Sequence, residues 1–192
     1  MKPRATCAAA IALAVLLALP ACSADTPVPA PARPAPAGAE GPAASAGATG
    51  GGACGELERT VFACSSAEKH IALCEVSARD ARPAALQYRI ARTGSPPEMV
   101  YPGPGDASPA FSTGTKTLAG GGGAWIEFTR ASYRYVVFSF WLQGSGETAG
   151  VAVEQGGKRQ ATLHCQAGAQ SELGPDYFET AQIPASNADF LP

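Results

Sequence analysis

The chain has 192 residues, and its 14 lysines and arginines nearly balance its 16 aspartates and glutamates, which leaves a formal net charge of −2. A weakly acidic chain with well-mixed charges lacks the basic patch that binds a polyanion, so we expect no nucleic acid among its partners. Residues 54–192 are long enough to form one domain with its own hydrophobic core.

An apolar segment near the N-terminus predicts that the protein is exported. Lys2 and Arg4 precede the uncharged residues 8–19, a stretch too short to span a bilayer comfortably. A short positive region followed by such an apolar region is typical of a cleaved signal peptide rather than of a transmembrane anchor. We therefore expect residues 1–21 to be removed from the mature protein.

The sequence Leu19-Pro20-Ala21-Cys22 closes this segment and resembles the lipobox of bacterial lipoproteins. The resemblance implies that the thiol of Cys22 is diacylated, that the preceding peptide is removed and that the new amino terminus is acylated. Two or three acyl chains hold a protein firmly on a membrane, since each buried methylene contributes about 0.8 kcal/mol. Ser23 resembles the residue of the outer-membrane class, so we expect an outer-membrane lipoprotein with a periplasmic domain. A secreted protein that is cut near the same place is the alternative.

A segment of low complexity follows the lipidated cysteine. Residues 22–53 consist almost entirely of Ala, Pro, Gly, Ser and Thr. Such a composition cannot bury enough apolar surface to offset the entropy of ordering, so we expect a disordered tether. Fully extended, it reaches roughly 90 Å, which is enough to hold a domain clear of a membrane surface.

Residues 54–192 predict a single β domain. Short segments of alternating polarity are separated by clusters of Gly, Pro and Ser, which is typical of strands and turns. Eight such segments occupy residues 57–62, 70–76, 86–90, 99–101, 125–128, 133–142, 150–154 and 159–165. The pattern predicts a mainly β fold, a small antiparallel barrel or sandwich of about eight strands, with a short helix over residues 174–181 near the C-terminus.

The segment of residues 133–141 is apolar on both faces through its middle, so we expect it to be the central strand. One face would carry Tyr135, Val137 and Trp141, and the other Val136, Phe138 and Phe140. Core packing is the expected role of these side chains, and an aromatic binding groove is the alternative.

Four cysteines remain in the mature domain, namely Cys54, Cys64, Cys74 and Cys165. In an oxidising compartment an even number of cysteines predicts two disulfides, for which three pairings are possible. Cys64 ends the first predicted strand and Cys165 the last, where a closing sheet brings its two ends together. We therefore favour Cys64–Cys165, with Cys54–Cys74 as the remaining pair. Since there is no Cys-x-x-Cys pair, we expect no metal site.

The motifs of common enzyme classes do not occur in the sequence. There is no Gly-x-Ser-x-Gly elbow and no His-Glu-x-x-His, and His70 and His164 are the only histidines. Gly156-Gly157-Lys158 lies between two predicted strands and is better explained by a tight hairpin turn than by a phosphate-binding loop. We expect neither an enzyme nor a cofactor, and a hydrolase of unfamiliar type is the alternative.

Four consecutive glycines next to a tryptophan are the unusual surface feature. Such a run costs conformational entropy, which a close approach of a backbone or an insertion into a partner's cleft would offset. The candidate binding loop therefore comprises Gly120, Gly121, Gly122, Gly123 and Trp125. A mobile hairpin loop without a partner is the alternative.

The domain also resembles two groups of bacterial proteins. Phe62-Ala63-Cys64, residues 86–89 and residues 149–165 resemble segments of uncharacterised lipoproteins and periplasmic proteins of Gram-negative bacteria, a group without a known activity. More loosely, the domain is similar to the membrane-bound inhibitors of c-type lysozyme, which are small lipoproteins with an eight-stranded antiparallel barrel. In that family an aromatic-x-Cys start forms a disulfide with a C-terminal cysteine, which corresponds here to Cys64 and Cys165.

These observations predict a non-catalytic lipoprotein of the bacterial cell envelope with a binding β domain. Its partners would be the membrane, through the lipid anchor, and a protein or another envelope component of unknown identity. The resemblance to lysozyme inhibitors implies the alternative function, inhibition of lysozyme in the periplasm or at the outer membrane.

Overall fold

The computed structural model describes residues 52–76, 85–104, 106, 110–166 and 168–192. The signal peptide, Cys22 and most of the tether lie outside these residues. The described part contains ten strands and one helix. They are β1 (Arg59–Ser66), β2 (Lys69–Glu75), β3 (Leu86–Arg92), β4 (Pro97–Tyr101), β5 (Phe111–Leu118), β6 (Gly121–Arg130), β7 (Tyr133–Leu142), β8 (Gly146–Gln155), β9 (Lys158–His164), β10 (Gln170–Ser171) and α1 (Pro175–Ala181).

The strands form two antiparallel sheets of five strands each. The first sheet has the order β10-β1-β2-β3-β4, and the second has the order β5-β6-β7-β8-β9. The mainly β fold with a short C-terminal helix is confirmed. Of the two architectures predicted, the structure has the sandwich, because the strands form two separate sheets rather than one closed barrel. The eight predicted segments correspond to β1–β4 and β6–β9, and the sequence analysis missed β5 and β10.

The main hydrophobic core lies between the two sheets. In the first sheet Tyr88 is 1% exposed, and its ring centroid lies 5.2 Å from that of Phe128 in the second sheet. Phe128 in turn stacks on Tyr101 and Tyr135, at centroid distances of 4.3 and 5.0 Å. These rings join the sheets through one continuous apolar layer, in which each side chain alternates with an outward-facing neighbour along its strand.

Strand β7 is the central strand of the second sheet, as predicted. It pairs with β6 along one edge and with β8 along the other. Val137 is fully buried in the core between the sheets, whereas Phe138 and Phe140 belong to a second apolar cluster on the outer face. Burial on both faces explains why this segment is apolar throughout its middle.

The helix and the C-terminal segment cover two different surfaces of the sandwich. In α1, Tyr177 and Phe178 are buried in the main core, and the hydroxyl of Tyr177 donates a hydrogen bond of 3.1 Å to Glu75. The helix ends at Ala181, where Gln182 adopts a left-handed conformation (φ 55°). The following segment pairs with the edge of β5 and places Phe190 in the second cluster. No helix in the described ranges is both long enough and apolar enough to cross a bilayer.

Both favoured disulfides are present in the structure. Cys64–Cys165 joins the first sheet to the end of β9, with Cα atoms 5.7 Å apart. Cys54–Cys74 joins the segment before β1 to β2, with Cα atoms 5.5 Å apart. The predicted hairpin turn between β8 and β9 is also present, with positive φ angles of 56° at Gly156 and 74° at Gly157.

Candidate functional site

The glycine run does not project as a loop, because most of it lies in a strand, and its role in binding stays a prediction. Gly121, Gly122 and Gly123 are the first residues of β6 and pair with both β5 and β7. Only Gly120 lies in the turn, with a φ of 80°. Trp125, the fifth residue of the predicted loop, is 3% exposed and lies in the apolar cluster of the outer face.

Close approach of aromatic rings explains two glycines of the second sheet. A Cβ atom on Gly123 would collide with the ring of Phe140, its neighbour on β7, and one on Gly114 would collide with the ring of Trp125. The Trp125 and Phe140 rings are nearly parallel, at 9°, with centroids 6.4 Å apart. Glycine is therefore needed where large rings lie flat on the sheet, an arrangement also used to stabilise glycines in strands.

The opposite face of the same strands forms a cleft at one end of the sandwich. Strand pairing aligns Thr117, Gly122, Trp141 and Glu147 in one row across β5–β8, and Thr115, Ala124 and Ser139 in the adjacent row. Paired residues share a face of a sheet, and Ala124 belongs to the core between the sheets. The cleft has a volume of about 490 Å³. We call it the Trp141 cleft. Its lining comprises these seven residues together with Lys116, Gly121, Gly123, Phe140, Leu173, Gly174 and Pro175, so it includes three glycines of the predicted binding loop.

Trp141 is the large apolar side chain that the cleft exposes. It is 56% exposed, whereas Trp125, the other tryptophan of the chain, is buried. Ligand sites are typically concave and combine aromatic side chains with a few polar groups. Tryptophan is also the residue type most enriched among binding hot spots, because its ring offers a large contact area. The position of Trp141 in a cleft therefore favours a role in binding.

Glu147 gives the cleft its negative charge. It lies directly opposite Trp141 in the pairing of β7 with β8, and it is exposed. Within the part of the chain that the structure describes, no hydrogen bond or ion pair engages its carboxylate. Lys116, the cation that also lines the cleft, is paired through its ammonium group with Asp189, and this interaction lowers the pKa of Asp189. Glu147 therefore remains available to a ligand.

A second polar cluster lies on the outer face and is fully engaged. The carboxylate of Glu127 accepts hydrogen bonds from Trp125 Nε1 (3.1 Å), from Ser186 Oγ (2.6 Å) and from the guanidinium of Arg134. Arg134 also donates to Glu154 at 2.6 Å. Because each charged group has its partner, this cluster is explained by its structural role, which is to hold the C-terminal segment on the sheet.

The two histidines lie in different sheets and do not line the Trp141 cleft. His70, in β2, is within hydrogen-bond distance of the hydroxyls of Ser65 (3.0 Å) and Thr93 (3.2 Å). His164, in β9, makes an edge contact with Phe138, with centroids 6.1 Å apart. Each histidine thus has a local structural role, and the arrangement does not join them into one acid–base pair.

One group of potential metal ligands is occupied by other bonds. The ligand atoms of Cys54, Glu58 and Cys74 lie within 4.8 Å of one another. However, the two sulfur atoms are bonded to each other, and Glu58 accepts two hydrogen bonds from Arg89, of 2.7 and 2.6 Å. The group is therefore a clamp that fixes the start of the domain to the first sheet. We call it the Cys54 clamp.

Comparisons with protein-family models, with curated proteins and with solved structures find no match for this chain. The resemblances seen in the sequence therefore stay predictions.

Proposed function

We propose that this chain is a non-catalytic lipoprotein of the bacterial cell envelope, anchored to the outer membrane through Cys22, whose β domain binds a partner in the Trp141 cleft. The proposed export and lipidation are supported by the order of positive region, apolar region and lipobox-like sequence at the N-terminus. The disulfides Cys54–Cys74 and Cys64–Cys165 fit an oxidising compartment.

The exposure of Trp141 in a concave site is the observation that carries the binding role. Other exposed large apolar residues, such as Leu57 and Leu191, lie outside the lining of the cleft. Single exposed apolar side chains are common on protein surfaces and need no function. Trp141 differs because the hydroxyls of Thr115, Thr117 and Ser139 accompany it in the same cavity, and such polar groups can orient a ligand.

One observation favours the alternative, inhibition of a c-type lysozyme. The Cys64–Cys165 disulfide matches the pair that the resembling family forms. This alternative ranks second because the strands form two separate sheets, whereas the resembling family has one eight-stranded barrel. A lytic assay with several lysozyme types tests it, and undiminished lysis at an excess of the protein would exclude it.

Metabolic labelling with palmitate tests the lipid anchor. The wild-type protein is expected to incorporate label and to fractionate with the membrane, whereas Cys22→Ala is expected to lose both. A matched control is Cys7→Ala, which removes a cysteine within the predicted signal peptide and should leave labelling unchanged. An unlabelled wild-type protein that is released in soluble form would refute the proposed anchor.

Site-specific photocrosslinking in intact cells tests the binding site. A photoreactive residue at Thr117, in the cleft, is expected to give a defined crosslinked product. The same residue at Tyr133, which is 37% exposed at the opposite end of β7, is the matched control. Trp141→Ala should weaken the product from position 117. Equal products from both positions, or none from position 117, would contradict a role for the cleft.

A further inference from the structure

We infer that the Trp141 cleft binds an arginine side chain on an extended segment of a partner protein. This inference rests on the proposed function, because it names the chemistry that the same cleft recognises. The ring of Trp141 would contact the guanidinium, and the carboxylate of Glu147 would accept its hydrogen bonds.

The molecule itself contains two examples of this arrangement. The guanidinium of Arg59 lies 5.0 Å from the ring centroid of Tyr177 and pairs with Glu172 at 2.6 Å. Similarly, the guanidinium of Arg159 lies 4.9 Å from the ring centroid of Phe190 and pairs with Glu154 at 3.2 Å. In each case one guanidinium contacts an aromatic ring and a carboxylate together.

Trp141 and Glu147 form the same combination of ring and carboxylate. Residues directly opposite each other on antiparallel strands have Cβ atoms about 4.5–5.5 Å apart, so the two side chains can contact one guanidinium. No cation among the described residues lies over the Trp141 ring or pairs with Glu147. Tryptophan is the aromatic residue that attracts cations most strongly.

The surroundings leave room for a side chain from outside. Gly122, on β6, is the other neighbour of Trp141 in the row and has no side chain to cover the ring. On the far side, Gly168 lies close to the Glu147 carboxylate, and even a Cβ atom there would come within 3.4 Å of Glu147 Oε2, so the absence of a side chain at this position keeps the carboxylate uncovered. The charge of the cleft also suits a cation. Lys116 is paired with Asp189, whereas the carboxylate of Glu147 has no charged partner among the described residues.

Two observations favour an arginine on a polypeptide over a small free cation. The volume of about 490 Å³ exceeds that of one side chain and leaves room for flanking residues. The cleft is also bordered by the edge strand β5, which pairs with the C-terminal segment at Thr113 but whose residues Thr115 and Thr117 are exposed. An extended segment can lie along such an edge. Arginine is favoured over lysine because its planar group can stack on a ring and form two hydrogen bonds to a carboxylate.

Nuclear magnetic resonance of the full mature protein in detergent tests the inference, because its two tryptophans give separate indole N–H signals. The probe is a blocked peptide, acetyl-Gly-Ser-Arg-Ser-Gly-amide, and its control has citrulline in place of arginine. The arginine peptide at millimolar concentration is expected to shift the signal of Trp141 and not that of the buried Trp125. The citrulline peptide, which has the same shape without the charge, should bind at least about tenfold more weakly.

A matched pair of variants separates the local carboxylate from general charge. Glu147→Gln is expected to weaken binding of the arginine peptide about tenfold. Glu179→Gln removes the same charge from an exposed position on α1 and should leave binding unchanged. An unshifted Trp141 signal, equal binding of both peptides, or equal effects of both variants would overturn the inference.

The result also distinguishes this inference from the proposed function. If crosslinking from position 117 persists while the arginine peptide fails to bind, the ligand chemistry is wrong and the binding cleft stands. If crosslinking and peptide binding both fail, the proposed function is wrong as well.

Discussion

The second sheet carries two pairs of a tryptophan and a glutamate, one on each face. The pair on the outer face is buried and hydrogen-bonded, whereas the pair on the inner face is exposed. On the outer face Trp125 donates a hydrogen bond to Glu127, and Arg134 and Ser186 complete the environment of that carboxylate. At the end of the inner face, Trp141 and Glu147 lie opposite each other and are exposed. The residue types are the same, so composition does not decide whether such a pair is structural or available. A pair is structural when neighbouring segments cover it and a cation of the protein lies next to its carboxylate, and it is available to a ligand when they do not.

Replacing each tryptophan by alanine should give the largest difference in stability between the two pairs. Trp125→Ala is expected to lower the free energy of unfolding by about 3–5 kcal/mol, because it removes a large buried ring and leaves Glu127 without one donor. Trp141→Ala should lower it by much less, about 1 kcal/mol, since more than half of that side chain is already exposed. Urea unfolding followed by circular dichroism measures both. Similar losses in the two variants would show that Trp141 is structural.

The glycines beneath the outer rings provide a second test. Gly123→Ala is expected to destabilise the protein by about 1–3 kcal/mol, because the added methyl group meets the Phe140 ring within the paired sheet. Gly55→Ala is the matched control, since a methyl group there would make only ordinary contacts of 3.5 Å or more with the flexible side chain of Glu58. Thermal unfolding of the two variants compares them. An unchanged unfolding temperature for Gly123→Ala would mean that the Phe140 ring can move aside without a loss of stability.

The two glutamates should also respond differently to neutralisation. Glu127→Gln is expected to lower the free energy of unfolding by about 1–3 kcal/mol, because it weakens charge-assisted hydrogen bonds to Arg134 at a buried position. Glu147→Gln should leave stability unchanged within about 0.5 kcal/mol. Denaturant titration at neutral pH provides the measurement. A marked loss in Glu147→Gln would reveal a structural role for that carboxylate and weaken its assignment to a ligand.

Acid should lower the stability through carboxyl groups whose pKa the folded structure lowers, such as that of Glu58. Burial raises the pKa of Glu58, but the hydrogen bonds from Arg89 and from the Gly55 N–H outweigh it and leave that pKa below its usual range. A lowered pKa stabilises the folded state above the pKa of the unfolded chain, about 4.3, and this stabilisation is lost as the pH falls through the folded pKa. Glu58→Gln should therefore reduce the acid-dependent loss of stability below about pH 4. Urea midpoints at a series of pH values test this, and identical pH profiles for both proteins would contradict it.

Alternation of polarity was sufficient to predict most of the sandwich. The segments with regularly spaced apolar side chains correspond to strands, and the doubly apolar segment is the central strand β7. Strand β5 was missed because it contributes few apolar side chains of its own. At Gly114 its outer face is covered by the ring of Trp125 from the neighbouring strand, a contact that local sequence does not reveal.

The candidate site was harder to predict for a related reason. Glycine runs usually indicate turns, but residues 121–123 are needed within a strand because rings and backbone approach them closely. Trp141 was assigned to the same face as Tyr135 and Val137, and that assignment is correct. Its exposure depends on which segments of the folded domain cover this end of β7, and the local sequence does not specify them. The position of Trp141 just before the turn at Gly144 was the available signal that it lies at the rim.

The Cys54 clamp has a mechanical consequence if the domain is tethered on its N-terminal side, as proposed above. Tension from the N-terminal side reaches the fold at Cys54 and passes through the disulfide to Cys74 on β2, the middle strand of the first sheet. Residues 55–73 are thereby shielded from the pull, so strand β1 is not peeled from its neighbours. Removal of this disulfide alone, in a Cys54→Ala/Cys74→Ala variant, should therefore lower the force at which β1 is pulled from the sheet, because the pull then passes along β1 itself.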